Sequence, residues 1–145
     1  MTTPSDVRAL AGELSLAAVR LTRHLRGRRA DAQISLTQLS ALASLHREGA
    51  MTPGALAAKE RVQPPSMTRV IASLSDLGLV ERKPHPTDGR QIIVSLSDAG
   101  RALIADEASA REAWMTEQLS TLTDEQLLVL TRAVAIMKQI VDDSE

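Results

Sequence analysis

Small polar and basic side chains gather where one short helix is predicted to begin. Positions 63–69 read Gln-Pro-Pro-Ser-Met-Thr-Arg. Hydroxyl, amide and guanidinium groups on an exposed helical turn suit contact with base edges and phosphates. The candidate contacts of this turn are Gln63, Pro65, Ser66, Thr68 and Arg69. The plainer alternative is that these residues only keep a surface helix soluble.

A second set of charged side chains surrounds a tight turn further along the chain. Pro86, Asp88 and Gly89 are typical turn residues, and Arg90 leaves the turn with its guanidinium free to reach outward. Arg90 is predicted to enter a minor groove, where narrow A·T-rich stretches concentrate negative potential. The candidate contacts around this turn are Arg82, Lys83, His85, Asp88 and Arg90. For Arg82 an ion pair with Glu81 remains the alternative to a phosphate contact.

Catalytic and metal-binding patterns are missing from the sequence. The three histidines, at positions 24, 46 and 85, show no metal-ligand spacing such as His-Glu-x-x-His. No serine stands in Gly-x-Ser-x-Gly, and there is no glycine-rich phosphate loop. The chain has no cysteine, which excludes disulfides and thiolate metal sites. We therefore expect no enzyme, no metal and no cofactor.

Two short helices are predicted to position the first set of side chains. Thr52 is a good N-cap, and Pro53 suits the first helical position. Gln63 precedes a proline, so the first helix is expected to end by about that residue. The next helix should turn inward Met67, Val70, Ile71, Leu74 and Leu77, and outward Ser66, Thr68, Arg69, Ala72, Ser73 and Asp76. Gly78 suits the left-handed position that ends such a helix.

A strand and four further helices complete the predicted elements. Ile92, Val94 and Leu96 alternate as one face of a strand, which the pair 50–51 is expected to join. The first helix is predicted from Asp6. The N-caps predicted for the later helices are Thr37, Ser97 and Thr123. The helix that Ser97 caps is expected to end at about Leu122.

The first and last helices carry apolar stripes that a small central lobe cannot cover. The stripes are Leu10, Leu14 and Leu21 in the first helix, and Leu127, Leu130, Val134, Met137 and Ile140 in the last. They pack either on each other within one chain or between two chains as a dimer. The end of the first helix also holds a cationic group of Arg20, Arg23, His24, Arg26, Arg28 and Arg29. This group is either a solvated helix end or a contact for DNA backbone or an anion.

Composition limits the remaining classes. The 145 residues are one domain by length, and the net charge is −1. Residues 1–101 hold 14 Lys and Arg against 9 Asp and Glu, whereas residues 102–145 hold 3 against 9. This asymmetry suits a DNA-binding protein with an acidic end turned away from phosphates. No signal peptide or membrane span is predicted, so a cytoplasmic protein is expected.

The ordered series of motifs resembles the winged helix-turn-helix of the MarR (multiple antibiotic resistance regulator) family. The matching segments are Pro-Ser-Met-Thr-Arg at 65–69, Leu-Gly-Leu-Val-Glu-Arg at 77–82, Asp-Gly-Arg at 88–90 and Leu-Ser-Asp-Ala-Gly at 96–100. The resemblance implies a mainly α fold with a small β-hairpin wing and terminal dimerisation helices. It divides a single domain, 1–145, into a winged helix-turn-helix at 36–97, a connecting helix at 98–122 and dimerisation helices at 6–30 and 123–143.

The resemblance also implies a function. A MarR-like chain would be a homodimeric transcriptional regulator, a repressor, on a pseudo-palindromic duplex, with Asp88 bracing Arg90. It would be released by a small aromatic or phenolic anion. The candidate effector residues are Arg20, His24, His46 and Trp114. For Trp114 the alternative is a position in the core or in an interface. For the protein as a whole, the alternative function is a helical protein–protein adaptor that does not bind DNA.

Overall fold

The computed structural model describes residues 2–26 and 33–144. Its elements in chain order are α1 Pro4–Arg26, α2 Leu36–Glu48, α3 Pro53–Glu60, α4 Pro64–Asp76, β1 Val80–Pro84, β2 Ile92–Leu96, α5 Asp98–Leu119 and α6 Asp124–Asp142. The chain forms two compact units, residues 1–110 and residues 111–145, and the boundary between them falls within α5. The mainly α fold with one small hairpin is therefore confirmed.

Helix α2 begins earlier than the sequence suggested. The cap is Ser35, whose hydroxyl accepts a hydrogen bond from the Gln38 backbone N–H at 3.1 Å. The Gln38 side chain accepts in return from the Ser35 N–H at 2.8 Å. The prediction of Thr37 as the cap was wrong, because the reciprocal capping box gives the N–H groups of Ser35 and Gln38 side-chain acceptors and so starts the helix two residues earlier.

Helices α3 and α4 form the predicted corner. The Thr52 hydroxyl accepts from the Ala55 N–H at 3.2 Å, which confirms this cap with Pro53 at the first helical position. Arg61 ends α3 in the left-handed conformation, with φ of 53° and ψ of 42°. The chain then re-enters a helix at Pro64, so only three residues separate the two helices. A turn this short fixes the direction of α4 relative to α3.

The hairpin follows α4 directly. Gly78 has φ of 72°, so the predicted left-handed helix end is confirmed. Strands β1 and β2 pair antiparallel, with Val80 opposite Leu96 and Pro84 opposite Ile92. The predicted extra strand residue is also present, as a bridge between Met51 and Val94. This bridge ties the hairpin to the chain just before α3.

The core of the first unit is aliphatic. Its buried members are Ile34, Ala41, Leu42, Leu45, Leu56, Ala57, Met67, Ile71, Leu74, Leu79, Val80, Val94 and Leu96. The predicted inward face of α4 is confirmed for Met67, Ile71 and Leu74, and Val70 packs against the core partly buried. Leu77 is 48% exposed, so its inward assignment was wrong. It follows the last turn of α4, where the chain leaves the helical path.

Helix α5 starts in close contact with the end of α4. The Ser97 hydroxyl accepts from the Gly100 N–H at 3.0 Å, which confirms the predicted cap. The same hydroxyl donates to the Gly78 carbonyl at 2.6 Å. Gly100 is buried with its Cα against the Leu79 backbone, where an added Cβ would lie 2.1 Å from the Leu79 carbonyl oxygen. Helix α5 ends at Leu119 rather than at about Leu122.

The two terminal helices bury none of their residues. Helix α1 starts at Pro4 rather than Asp6, and its apolar residues Leu10 and Leu21 are exposed. Residues 27–30 of the predicted first helix, with Arg28 and Arg29, lie outside the described part of the chain. Helix α6 is capped by Thr123 as predicted. Its exposed apolar residues include Leu130, Val134, Met137 and Ile140. Within the described ranges, no helix has the length and apolarity of a membrane span.

Candidate nucleic-acid interface

The N-terminal turn of α4 presents the polar residues that the sequence singled out. Ser66, Thr68 and Arg69 are exposed, while Met67 between them is fully buried. The Thr68 hydroxyl donates to the Pro64 carbonyl at 3.0 Å, so its lone pairs remain as acceptors toward solvent. Gln63 occupies the N-cap position, but its side chain makes no capping hydrogen bond. The turn therefore offers hydroxyl acceptors and a guanidinium on one face, whereas Pro64 and Pro65 contribute no backbone N–H.

A polar contact fixes α4 against α2. The Gln38 side-chain amide donates to the Ser73 hydroxyl at 2.7 Å, and Ser73 is half-buried. The assignment of Ser73 to the outward face was therefore wrong. Its place on the helix lies at the edge of the core, where the small hydroxyl reaches Gln38. One glutamine thus both caps α2 and orients α4.

Two further polar contacts tie α3 to α2. The Glu60 carboxylate accepts hydrogen bonds from the hydroxyls of Ser40, at 2.6 Å, and Ser44. The neighbouring residue of α3 makes the other contact: the Lys59 ammonium lies 2.8 Å from the Glu48 carboxylate and holds the pKa of Glu48 below its usual value. These contacts hold α3 against α2.

The wing turn is organised by its own side chains. The His85 ring nitrogen Nδ1 accepts hydrogen bonds from the backbone N–H groups of Thr87, at 3.2 Å, and Asp88, at 3.1 Å. The Asp88 carboxylate accepts in turn from the Arg90 N–H at 3.1 Å. Asp88 therefore braces Arg90 through the main chain. The guanidinium itself is left to solvent.

The cationic side chains of this surface differ in their availability. Arg69, Arg82 and Arg90 are exposed, and none of the three forms an ion pair with another residue in the ranges 2–26 and 33–144. Glu81 pairs with Lys83 instead, at 3.8 Å. The alternative of a pair between Arg82 and Glu81 was therefore wrong, because residues two apart share one side of a strand.

A groove joins the wing to the beginning of α3. It has a volume of about 370 Å³ and is lined by Thr52, Pro53, Gly54, Arg90, Gln91 and Ile92. The Arg90 side chain thus shares a depression with the N-terminus of α3, where helix-terminal amides favour negative charge. The groove was not predicted from the sequence, although the bridge between Met51 and Val94 beside it was.

One exposed cation was missed by sequence reasoning. Arg61 stands in the turn directly before α4, and it is the single described non-glycine residue with positive φ. Left-handed arginine is uncommon, and no local pattern announces it. Its position beside the N-terminus of α4 adds it to the candidate phosphate contacts.

Three of the predicted effector residues lie in the unit 1–110, and the fourth lies in the unit 111–145. Arg20 and His24 are exposed on α1, and His46 is exposed in the last turn of α2. Trp114 is half-buried in the unit 111–145. A cavity of about 550 Å³ beside α1 is lined by other residues, namely Ala18, Val19, Thr22, Arg23, Arg26 and Leu36. The effector assignment stays a prediction. In the described ranges, no cluster of three His, Asp or Glu side chains suits a metal.

Comparison with known proteins places this arrangement in context. A profile of the MarR family matches residues 34–92. The chain is 54% identical to the HTH-type transcriptional regulator MT0903.1 of Mycobacterium tuberculosis, over 97% of each chain. It is 30% identical to the HTH-type transcriptional repressor MdtR of Bacillus subtilis, over 77% of this chain and 72% of that one. A solved MarR family structure from Bacillus stearothermophilus, 23% identical, covers 98% of this chain and 99% of its own, with a TM-score of 0.78.

Proposed function

The chain belongs to the MarR family of DNA-binding transcriptional regulators, and from that premise we propose how it binds DNA. Two copies bind one pseudo-palindromic duplex and repress transcription by occupying a promoter. The observation that carries this proposal is the exposed turn of α4 beside a wing whose arginines have no described ion-pair partner. A helical adaptor without DNA binding is the disfavoured alternative.

Helix α4 is the element that we assign to the major groove. That groove, about 12 Å wide, admits one helix, whose first turn reaches the base edges. Ser66, Thr68 and Arg69 stand on this turn and read the sequence. Gln63 and Pro65 border it at the entrance to the helix. The buried side of α4 is locked to the core by Met67, Ile71 and Leu74, so the exposed side has a fixed direction.

The wing is the element that we assign to the DNA flank. Arg90 enters the minor groove, while Arg82 and Lys83 lie along the phosphates, and Asp88 holds the turn. Contacts of this kind position the protein and make its affinity fall with salt. Arg61 supplies a further phosphate contact at the start of α4.

Dimerisation through the terminal helices follows from their surfaces. Neither α1 nor α6 buries a residue within its own unit of one chain, although both carry apolar stripes. Exposed apolar stripes along two helices of a small protein support an interface with another chain. MarR family regulators act as dimers, and a two-fold axis would set the two α4 helices about 34–36 Å apart, one turn of DNA.

The sign of regulation and the effector are the finer parts of the proposal. The name of the Bacillus relative, a transcriptional repressor, supports repression. A small aromatic or phenolic anion would release the DNA. This anion would bind near Arg20, His24, His46 and Trp114. The cavity beside α1, with Arg23 and Arg26 in its wall, supports an anion. Calorimetric titration of salicylate into the protein and into its DNA complex tests this part.

The decisive experiment is selection of bound fragments from random duplexes, followed by footprinting. We expect an inverted repeat with half-sites one helical turn apart and protection of the minor groove on both flanks. A direct repeat or a single half-site would contradict the two-fold arrangement. Failure to retain any duplex at low salt would contradict the interface itself.

Arg90→Ala is expected to weaken operator binding by about 1–3 kcal/mol. The variant loses a guanidinium that the structure leaves free for DNA, and no described ion pair of the folded protein is lost with it. The measurement is a salt-dependent affinity by fluorescence anisotropy, with a smaller salt slope expected for the variant. The control is Arg101→Ala, since Arg101 is also exposed but pairs with Asp98 at 3.2 Å on α5. Equal losses for the two variants would contradict the wing assignment.

Val134→Glu is expected to shift the protein from dimer to monomer at micromolar concentration. The side chain is 46% exposed within the apolar stripe of α6, and a buried carboxylate without a partner is costly in an interface. Sedimentation velocity measures the change. The control is Arg132→Glu, which places the same carboxylate about 160° away around the helix. A dimer that survives Val134→Glu would exclude this stripe as the interface.

A further inference from the structure

The imidazole of His85 occupies an unusual place in the wing turn. Its Nδ1 faces two backbone N–H groups, those of Thr87 at 3.2 Å and Asp88 at 3.1 Å. The Thr87 hydroxyl oxygen lies 3.3 Å from the same nitrogen. The ring is half-buried, whereas Pro84 and Pro86 on either side are exposed. Short polar side chains such as asparagine commonly close turns in this way, by accepting from amides two and three residues on.

The hydrogen bonds fix the state of the ring. A nitrogen that accepts from backbone N–H groups carries no proton, so the ring is neutral and its proton is on Nε2. Protonation of Nδ1 would turn an acceptor into a donor that faces two other donors. The turn in its observed shape therefore requires the uncharged ring.

The same turn sets the direction of Arg90. Asp88 connects the two residues, because its N–H donates to His85 and its carboxylate accepts from the Arg90 N–H at 3.1 Å. We propose that His85 is a positioning residue: its neutral imidazole holds the wing turn closed and thereby aims Arg90 at DNA. The inference rests on the proposed role of the wing and gives His85 a task different from a phosphate contact.

Two substitutions separate the positioning role from a phosphate contact. His85→Asn keeps an acceptor where Nδ1 stands but does not titrate, and His85→Gln keeps a donor where Nε2 stands but loses the near acceptor. For positioning we expect Asn to retain near-normal operator affinity at pH 7.5, and Gln to lose about tenfold. A phosphate contact through Nε2 predicts the reverse order, and that result would overturn the inference.

Amide exchange of the free protein keeps this test independent of DNA. The N–H groups of Thr87 and Asp88 should exchange slowly in wild type and in His85→Asn, and faster in His85→Gln. If Arg90→Ala leaves affinity unchanged while these amides follow the expected order, the proposed function of the wing fails and the role of His85 in the turn stands. If all three proteins protect the amides equally, the inference fails on its own.

Discussion

Gly100→Ala is expected to lower the free energy of unfolding by about 3 kcal/mol, as overpacking of a rigid contact does. The new Cβ would meet the Leu79 carbonyl oxygen at 2.1 Å, and this neighbour is backbone rather than a flexible side chain. The contact also lies where the Ser97 hydroxyl holds the Gly78 carbonyl at 2.6 Å. Relief of the overlap must therefore move α5 or the start of the hairpin. Urea unfolding followed by circular dichroism measures the loss.

Gly54→Ala is the matched control for this prediction. Gly54 is also helical, but a Cβ there meets no atom within 4 Å. Alanine is favoured over glycine in a helix by up to about 1 kcal/mol, so this variant should be neutral or slightly more stable. A Gly100→Ala protein as stable as the control would show that the junction is not tightly packed.

Leu74→Ala is the second large effect, a loss of about 2–5 kcal/mol in unfolding free energy. Leu74 is fully buried on the inward side of α4, and the cavity left behind would lie under the last turn of this helix. Operator affinity should fall as well, because α4 would lose part of its support. Both quantities are compared at one protein concentration, since dimerisation makes apparent stability concentration-dependent.

Leu77→Ala provides the comparison within the same segment. The residue change is identical, but Leu77 is 48% exposed and follows the last turn of α4. We expect a loss below about 1 kcal/mol, in line with other surface substitutions. If both variants lost the same stability, burial would not explain the effect of Leu74→Ala.

Local signals carried most of the fold prediction. Thr52 with Pro53, Gly78, Ser97 and Thr123 each marked a helix boundary that the structure confirms. Such boundaries depend on one residue type at one position, so they can be read from a single sequence. The α4 stripe succeeded for the same reason until its end, where Leu77 leaves the helical path.

Features that depend on distant contacts were not predictable in this way. Ser35 outcompeted Thr37 as a cap because Gln38 completes the capping box. Ser73 turned out half-buried because Gln38, 35 residues earlier, reaches its hydroxyl. The left-handed Arg61 and the His85 acceptor geometry follow from how the corner and the turn close. In the candidate site, sequence indicated which side chains are exposed, while their supports came only with tertiary structure.

The single tryptophan has a practical consequence. Trp114 belongs to the unit 111–145, and the chain has no tyrosine or phenylalanine. Intrinsic tryptophan fluorescence therefore reports only on that unit, and the winged lobe contributes no aromatic emission. If fluorescence and circular dichroism give different midpoints during thermal unfolding, the two units unfold in separate steps. A dye attached through a cysteine introduced at an exposed position of the wing would report the other half without background, since the native chain contains no thiol.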